Sequence, residues 1–135
     1  MKMFGFPAPG VRYQDRPVAY AVITTPAGTV AVVKGKHGYF LPGGGSLPSE
    51  TPEETVLREV REELGCGVRL MGQLGEAIQY FTAEGQHYKM RAIFFTAEFT
   101  KEPTRQGKAE LFWLPITEAE AACFHQCHAW AARLA

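Results

Sequence analysis

The stretch from Gly43 to Cys66 reads GGGSLPSETPEETVLREVREELGC and holds the clearest helix start in the chain. Thr51 is a natural N-cap, Pro52 suits the first helical position, and Glu54 follows the cap at capping-box spacing. This pattern predicts a helix running to about Leu64 and ending at Gly65, a residue suited to a left-handed cap. Projected at about 100° per residue, Val56, Leu57, Val60 and Leu64 share one arc and form a core-facing stripe. Glu59, Glu62 and Glu63 occupy the neighbouring arc. Carboxylates at i,i+3 and i,i+4 repel, by about a few tenths of a kcal/mol on an exposed helix. A solvated acidic face is the ordinary reading of a Glu-rich helix. Here the acids abut the apolar stripe and follow a flexible glycine turn, Gly43-Gly44-Gly45. A divalent cation would remove their repulsion, and hard oxygen ligands select Mg²⁺ or Mn²⁺ over zinc.

Outward from this segment, the pattern alternates between strands and helices. Residues 17–24 and 29–34 are rich in β-branched side chains and flank Thr25-Pro26-Ala27-Gly28, which reads as a hairpin. Tyr39-Phe40-Leu41 is a short apolar run stopped by Pro42. Residues 68–82 and 87–100 read as two long strands around the turn 83–86, and residues 110–114 as another strand stopped by Pro115. Thr117 opens an alanine-rich run that reads as a second helix to about Leu134. The class is α/β, a mixed sheet packed by helices.

Length and composition narrow the function. A chain of 135 residues, 46% hydrophobic and 21% charged, fits one domain spanning 1–135 with enough core to need no metal or disulfide staple. Lys+Arg and Asp+Glu are both 14, which argues against a nucleic-acid clamp with its basic excess. No run approaches the ~20 apolar residues of a membrane span. Residues 1–12 are broken by Gly5, Pro7, Pro9 and Gly10 and lack a signal-peptide core. Three cysteines make no secreted disulfide framework, so the cytoplasm is the expected address.

Residues 44–66 resemble the signature of the Nudix hydrolases, a family motif of fixed spacing. Gly44 is followed after five residues by Glu50, and after seven more by Arg58-Glu59. Val60 fills the bulky aliphatic position, and Glu62-Glu63 and Gly65 follow in register. Cys66 replaces the last aliphatic residue, a packing variation because a buried thiol behaves as a small hydrophobe. The resemblance implies an α/β/α sandwich about a mixed sheet, with the motif as a loop–helix–loop. It implies Mg²⁺- or Mn²⁺-dependent hydrolysis of a nucleoside diphosphate linked to another group. By motif position, Glu59, Glu62 and Glu63 are the expected metal-binding acids, with a carbonyl of the glycine turn, Gly43, beside them. Glu50 and Arg58 are the expected supporting pair, the arginine orienting carboxylates. The general base is Glu62 or Glu63, Glu62 being preferred, or a later acid among Glu98, Glu102 and Glu110.

The residue types fit this chemistry independently, since an anionic pyrophosphate bridge must be screened before water attacks it. Without the acidic helix the glycines would be an ordinary turn, and the Gly-Lys-Ser/Thr ending of a P-loop is absent. Cys123, His125, Cys127 and His128 invite a zinc reading, but packed thiols on an alanine-rich helix explain them better. His37 and His87 read as loop histidines. Most aromatics read as core, with Tyr80 and Phe81 as expected substrate contacts. Arg12, Lys89 and Arg91 are candidates for terminal phosphates, each weighed against a solvated surface charge. The expected substrate is a small nucleotide, a nucleoside triphosphate giving monophosphate and pyrophosphate. A dinucleoside polyphosphate, a nucleotide sugar and a non-catalytic nucleotide sensor are the alternatives, and the sequence leaves the oligomeric state open.

Overall fold

From Val18 onward, strand β2 (Gln14–Val22) is buried on both faces. Successive side chains point opposite ways. Val18, Tyr20 and Val22 therefore enter one apolar core, while Ala19 and Ala21 enter a second with Ile23. A strand apolar on both sides needs cover on both sides. The computed structural model describes residues 1–103 and 107–135. In it, helix α1 (Pro52–Leu64) covers one face with Val56, Val60 and Leu64. Helix α3 (Gln126–Leu134) covers the other with Cys127, Ala131 and Ala132.

The larger sheet joins β2 to four other strands: β1 (Lys2–Phe4), β5 (Gly43–Gly45), β6 (Val68–Ala83) and β7 (Gln86–Phe99). Their order is β1-β6-β7-β2-β5, with β2 parallel to β7 and β1 parallel to β6, so the sheet is mixed. A second, antiparallel sheet holds β4 (Gly38–Phe40), β3 (Thr29–Gly35) and β8 (Leu111–Pro115) in that order. After β8 come a 3-10 turn, Ile116–Glu118, and the short helix α2 (Ala119–Ala122). Among the described residues no helix is long and apolar enough to cross a membrane. The architecture is the expected α/β sandwich.

The acid-bearing helix forms as its sequence predicts. Thr51 accepts from the Glu54 N–H, the Glu54 side chain accepts from the Thr51 N–H, and Gly65 closes the helix in the left-handed region. Leu57 departs from the expected stripe: it is 39% exposed, and Thr55 is buried in its stead. Thr55 tolerates burial because its hydroxyl donates to Ser46 Oγ, 2.8 Å away, and lies 3.1 Å from Glu50 Oε1.

Three other expectations are corrected. The strands flanking the turn 25–28 meet only at its mouth, through the Thr24–Val30 bridge, and then part into different sheets. Gly43–Gly45 is no loose turn but a strand paired antiparallel with Val18–Tyr20. Gly43 has φ of +143°, and a Cβ there would lie 2.2 Å from the Ala19 carbonyl oxygen. The second helix is broken at Cys123–His125, where Cys123 and His125 are extended and the Phe124 N–H donates to Tyr39 O at 3.0 Å. Cys123 and Cys127 are therefore not one turn apart on a single helix. A polar core residue serves the break: Gln79 on β6 is buried and accepts from the Cys127 N–H at 3.1 Å. That bond satisfies one of the unpaired donors at the start of α3.

Candidate active site

Arg58 organises the acids from the middle of α1. Its Nε and Nη2 donate to the two oxygens of Glu50 at 2.6 and 2.9 Å, and Nη2 also donates to Gly45 O at 2.9 Å. Its Nη1 donates to Glu59 at 2.8 Å and reaches Glu62 at 3.5 Å. The Arg58 guanidinium, with the Leu47 N–H and the Thr55 hydroxyl, holds the Glu50 carboxyl down to about 2. The arginine's fork matches carboxylate geometry, which lysine's point charge does not. Helix α1 itself is tethered at its far end, where the Glu62 and Glu63 carbonyls accept from the Lys108 and Ala109 N–H groups, each at 2.9 Å.

Glu63 bends toward β5, where the Gly43 N–H donates to its Oε1 at 2.9 Å. Burial, with the neighbouring Glu59 and Glu62 charges, pushes the Glu63 carboxyl up to about 8. Glu59 lies against Gly44, where a Cβ would stand 2.8 Å from its Oε2. Gly44 thus lets the strand backbone approach the Glu59 carboxylate closely. Glu62 is the most exposed of the three acids, its side chain 44% exposed.

Glu59, Glu63 and Gly43–Gly45 line one end of a cleft of about 500 Å³. Its other end is aromatic, walled by Phe40, Phe81, Tyr88, Phe124 and His125. Phe81 and Tyr88 stack with ring centroids 5.0 Å apart, and Phe81 meets His125 edge-on at 4.6 Å. Between the ends stands Arg16, its guanidinium 5.8 Å from the Tyr88 ring centroid, and Lys34 also lines the cleft. At the mouth, Glu84 from the β6–β7 turn meets Lys36 at 2.9 Å and His37 at 3.3 Å. His125 is 4% exposed, and burial together with the Arg16 charge lowers it to about 4, so its ring is neutral at pH 7.

The structure brings together Glu50, Arg58, Glu59, Glu62, Glu63, Gly43 and Phe81, but not every candidate. Tyr80 and Arg91 are placed elsewhere, because residues of a strand alternate between faces. Phe81, Tyr88 and Met90 line the cleft; Tyr80 instead packs edge-on to Tyr13 at 5.3 Å, and Arg91 pairs with Asp15 at 3.3 Å. Of the later acids, Glu98 is exposed and paired with Arg69, while Glu102 and Glu110 line a separate cleft of about 580 Å³ beside the end of α1. Arg16, Lys34, Tyr88, Phe124 and His125 escaped the sequence reading as cleft residues. One of them carried a signal: a turn centred on Glu84-Gly85 sets Tyr88 opposite Phe81.

The acids are hard oxygen donors, and Glu59 and Glu62 lie close enough to Glu63 to raise its proton affinity, a set that fits a hard divalent cation. Among the described residues, no three His, Cys, Asp or Glu side chains stand as a preformed cation cage, and this includes Cys123, His125, Cys127 and His128. Arg58 and the Gly43 N–H hold the carboxylates in the arrangement seen.

An α/β sandwich with an acid-bearing loop–helix–loop at the sheet edge defines a Nudix hydrolase domain. The family described as the NUDIX domain matches residues 14–133, and the chain belongs to that family. The putative mutator protein MutT4 of Mycobacterium tuberculosis (strain CDC 1551 / Oshkosh) is 34% identical over 92 residues, which cover 63% of this chain. The match spans only 36% of that relative's length. Among solved structures, a NUDIX hydrolase from Nitrosomonas europaea superposes with a TM-score of 0.74 at 17% identity, covering 90% of this chain and 88% of its own. A MutT protein from Methanosarcina mazei Go1 gives 0.70 at 20% identity, covering 93% and 96%. At such identities the likeness establishes the fold.

Proposed function

We propose that this chain, folded as one domain, hydrolyses a phosphoanhydride bond of a small nucleotide, with Mg²⁺ or Mn²⁺ held by Glu59, Glu62, Glu63 and Gly43. The observation that carries this reading is a single cleft with paired acids at one end, stacked aromatics at the other and a guanidinium between them. The aromatic side would take the base, and the cations and acids the phosphate chain. Stacking on Phe81, Tyr88 and Phe124 accepts any base with little demand on its identity. Arg16 and Lys34, the cations lining the cleft, would meet the phosphates. When bound, a divalent cation supplies charge neutralisation on the phosphate oxygens and acidifies water.

The protein's own contribution is positioning and preorganised charge. Arg58 fixes Glu59 and Glu50 against Gly45, and the Gly43 N–H fixes one oxygen of Glu63, leaving the other to take up a proton from water. Glu63 faces the cleft and Glu62 the solvent side, which supports Glu63 over Glu62 as proton acceptor. A nucleoside triphosphate giving monophosphate and pyrophosphate is the substrate favoured, because one aromatic end accommodates one base. The three free thiols fit a cytoplasmic address.

The test is a panel of nucleoside triphosphates, dinucleoside polyphosphates and nucleotide sugars incubated with Mg²⁺ and separated by chromatography. Monophosphate and pyrophosphate from a triphosphate are expected, and a chelator should abolish them. Cleavage of none of the panel would refute the reading, and full cleavage in metal-free buffer would refute the cation's part.

A further inference from the structure

The segment that presents Gly43 to the acids is anchored from the opposite layer of the sandwich. Leu41 is 1% exposed, and its N–H donates to His128 Nδ1 at 3.1 Å. Pro42 has no N–H, and its carbonyl accepts from the Ala21 N–H at 2.8 Å. Gly43 then donates to Glu63 Oε1 at 2.9 Å. Three consecutive residues are thus tied to α3, to β2 and to the acid helix.

His128 is an unusual choice for its position. It is fully buried, edge-on to Tyr20 at 4.2 Å and to Phe40 and Phe94 at 6.0 and 6.1 Å. To accept from Leu41, Nδ1 must be bare, so the one proton of the neutral ring sits on Nε2. Burial keeps the ring neutral by lowering its proton affinity. Among the described residues, Nε2 has no hydrogen-bond partner. A buried donor left unpaired is costly, and a methionine or leucine would fill the space without that cost. What such a side chain lacks is the acceptor that Leu41 requires.

We propose that His128 is a positioning residue of the hydrolytic site: its Nδ1 sets the depth of Leu41–Gly43 and so where Gly43 meets Glu63. The proposal rests on the reading of Gly43 and Glu63 as parts of the cation site. It explains a buried imidazole that packs behind the cleft wall without lining the cleft itself. The Asn side chain places an acceptor oxygen near the position of Nδ1, whereas Met fills the volume and accepts almost nothing.

The experiment measures Mn²⁺ binding without substrate, by the loss of the free-ion magnetic resonance signal, for the parent, His128→Met and His128→Asn. His128→Met should raise the Kd for Mn²⁺ by about tenfold or more, the scale on which outer supports of metal ligands act. It should lower kcat while leaving the nucleotide KM nearly unchanged, and His128→Asn should recover most of both losses. Parental Mn²⁺ affinity in a folded His128→Met overturns the proposal alone, as does failure of His128→Asn to rescue. A parent that neither binds Mn²⁺ nor cleaves nucleotides overturns the underlying reading instead. Should His128→Met fail to fold, Mg²⁺ titration of the nitrogen-15-labelled parent decides. The His128 Nδ1 and Gly43 amide resonances should move together, and a stationary Nδ1 resonance overturns the proposal.

Discussion

Two neighbouring glycines should fail in opposite ways when given a methyl group. At Gly43 a Cβ would stand 2.2 Å from Ala19 O and 2.7 Å from Tyr20 Cα, both backbone atoms of a central strand. Its φ of +143° is also one that alanine rarely adopts. Dihedral strain of about 1–3 kcal/mol and overpacking of about 1–3 kcal/mol take a large part of a domain's usual stability of about 5–15 kcal/mol. Gly43→Ala should therefore lower Tm by about 8 °C or more, at about 4 °C per kcal/mol for a chain of this size. At Gly44 the atom met is Glu59 Oε2, 2.8 Å away, the tip of a side chain that can swing aside. The fold loses little there, and the smaller entropy of the unfolded alanine chain returns about 0.4–1 kcal/mol. The carboxylate must nevertheless retreat by roughly 0.6 Å to reach ordinary contact. Displacements near 1 Å cost on the order of 10²-fold in rate, so kcat/KM of Gly44→Ala should fall by about ten- to a hundredfold. Thermal melting and nucleotide hydrolysis at saturating Mg²⁺ check both variants. Gly44→Ala with parental activity would show that Glu59 need not stand where it does. A parental Tm for Gly43→Ala would refute the claim that the backbone there has no room.

Glu62→Gln and Glu63→Gln should both keep the fold and lose activity, with Glu63→Gln the slower enzyme by at least about tenfold, within the range of a lost acid–base group; the opposite order in kcat would return the proton-accepting role to Glu62. Gln79→Leu leaves the Cys127 N–H unpaired in the core and should cost about 1–3 kcal/mol in urea unfolding. An unchanged midpoint would mean that the N–H finds another partner. His125, lowered to about 4, contributes stability that is complete above about pH 6.5 and is lost as pH falls toward 4, while Glu63, pushed up to about 8, contributes most below about 4.5 and loses its share as pH rises through 8. The two slopes oppose in metal-free protein. In Glu63→Gln, stability should accordingly drop by about 2 kcal/mol or more between pH 7 and 5, with His128 adding to the fall. A profile as flat as the parent's would contradict the buried neutral histidines.

The acid helix was legible because its signals are local. Its caps lie within three residues of the turns they close, and the carboxylate spacing follows from helix periodicity alone. The β6–β7 hairpin was legible for the same reason, since Glu84 and Gly85 both have positive φ and make a tight turn. What escaped depends on contacts distant in sequence. Residues 17–24 and 29–34 read as partners because only a short turn separates them, yet β2 finds its partner in β7, over seventy residues away. Alanine-rich sequence conceals the break at Cys123–His125, because Ala is the strongest helix former and no Gly or Pro marks a boundary there. The interruption is set by Phe124 meeting Tyr39. Cleft cations were missed likewise: Arg16 and Lys34 are exposed surface charges on their own strands and become site residues only when two sheets meet.

The parallel pairing of β2 with β7 also dictates an order of assembly. Residues Gln14–Val22 lie in register with Tyr88–Thr96, so this strand has no hydrogen-bonded neighbour of its length until the chain has grown past Thr96. During synthesis the hairpin β6–β7, whose partners are close in sequence, can close as soon as it emerges. The join to β2 must instead close a loop of more than seventy residues, an entropic barrier met late. Until that closure, Val18–Ile23, a run of β-prone, uncharged side chains, keeps one edge unpaired. The segment that seats the sandwich is therefore open to misassociation while the protein is being made.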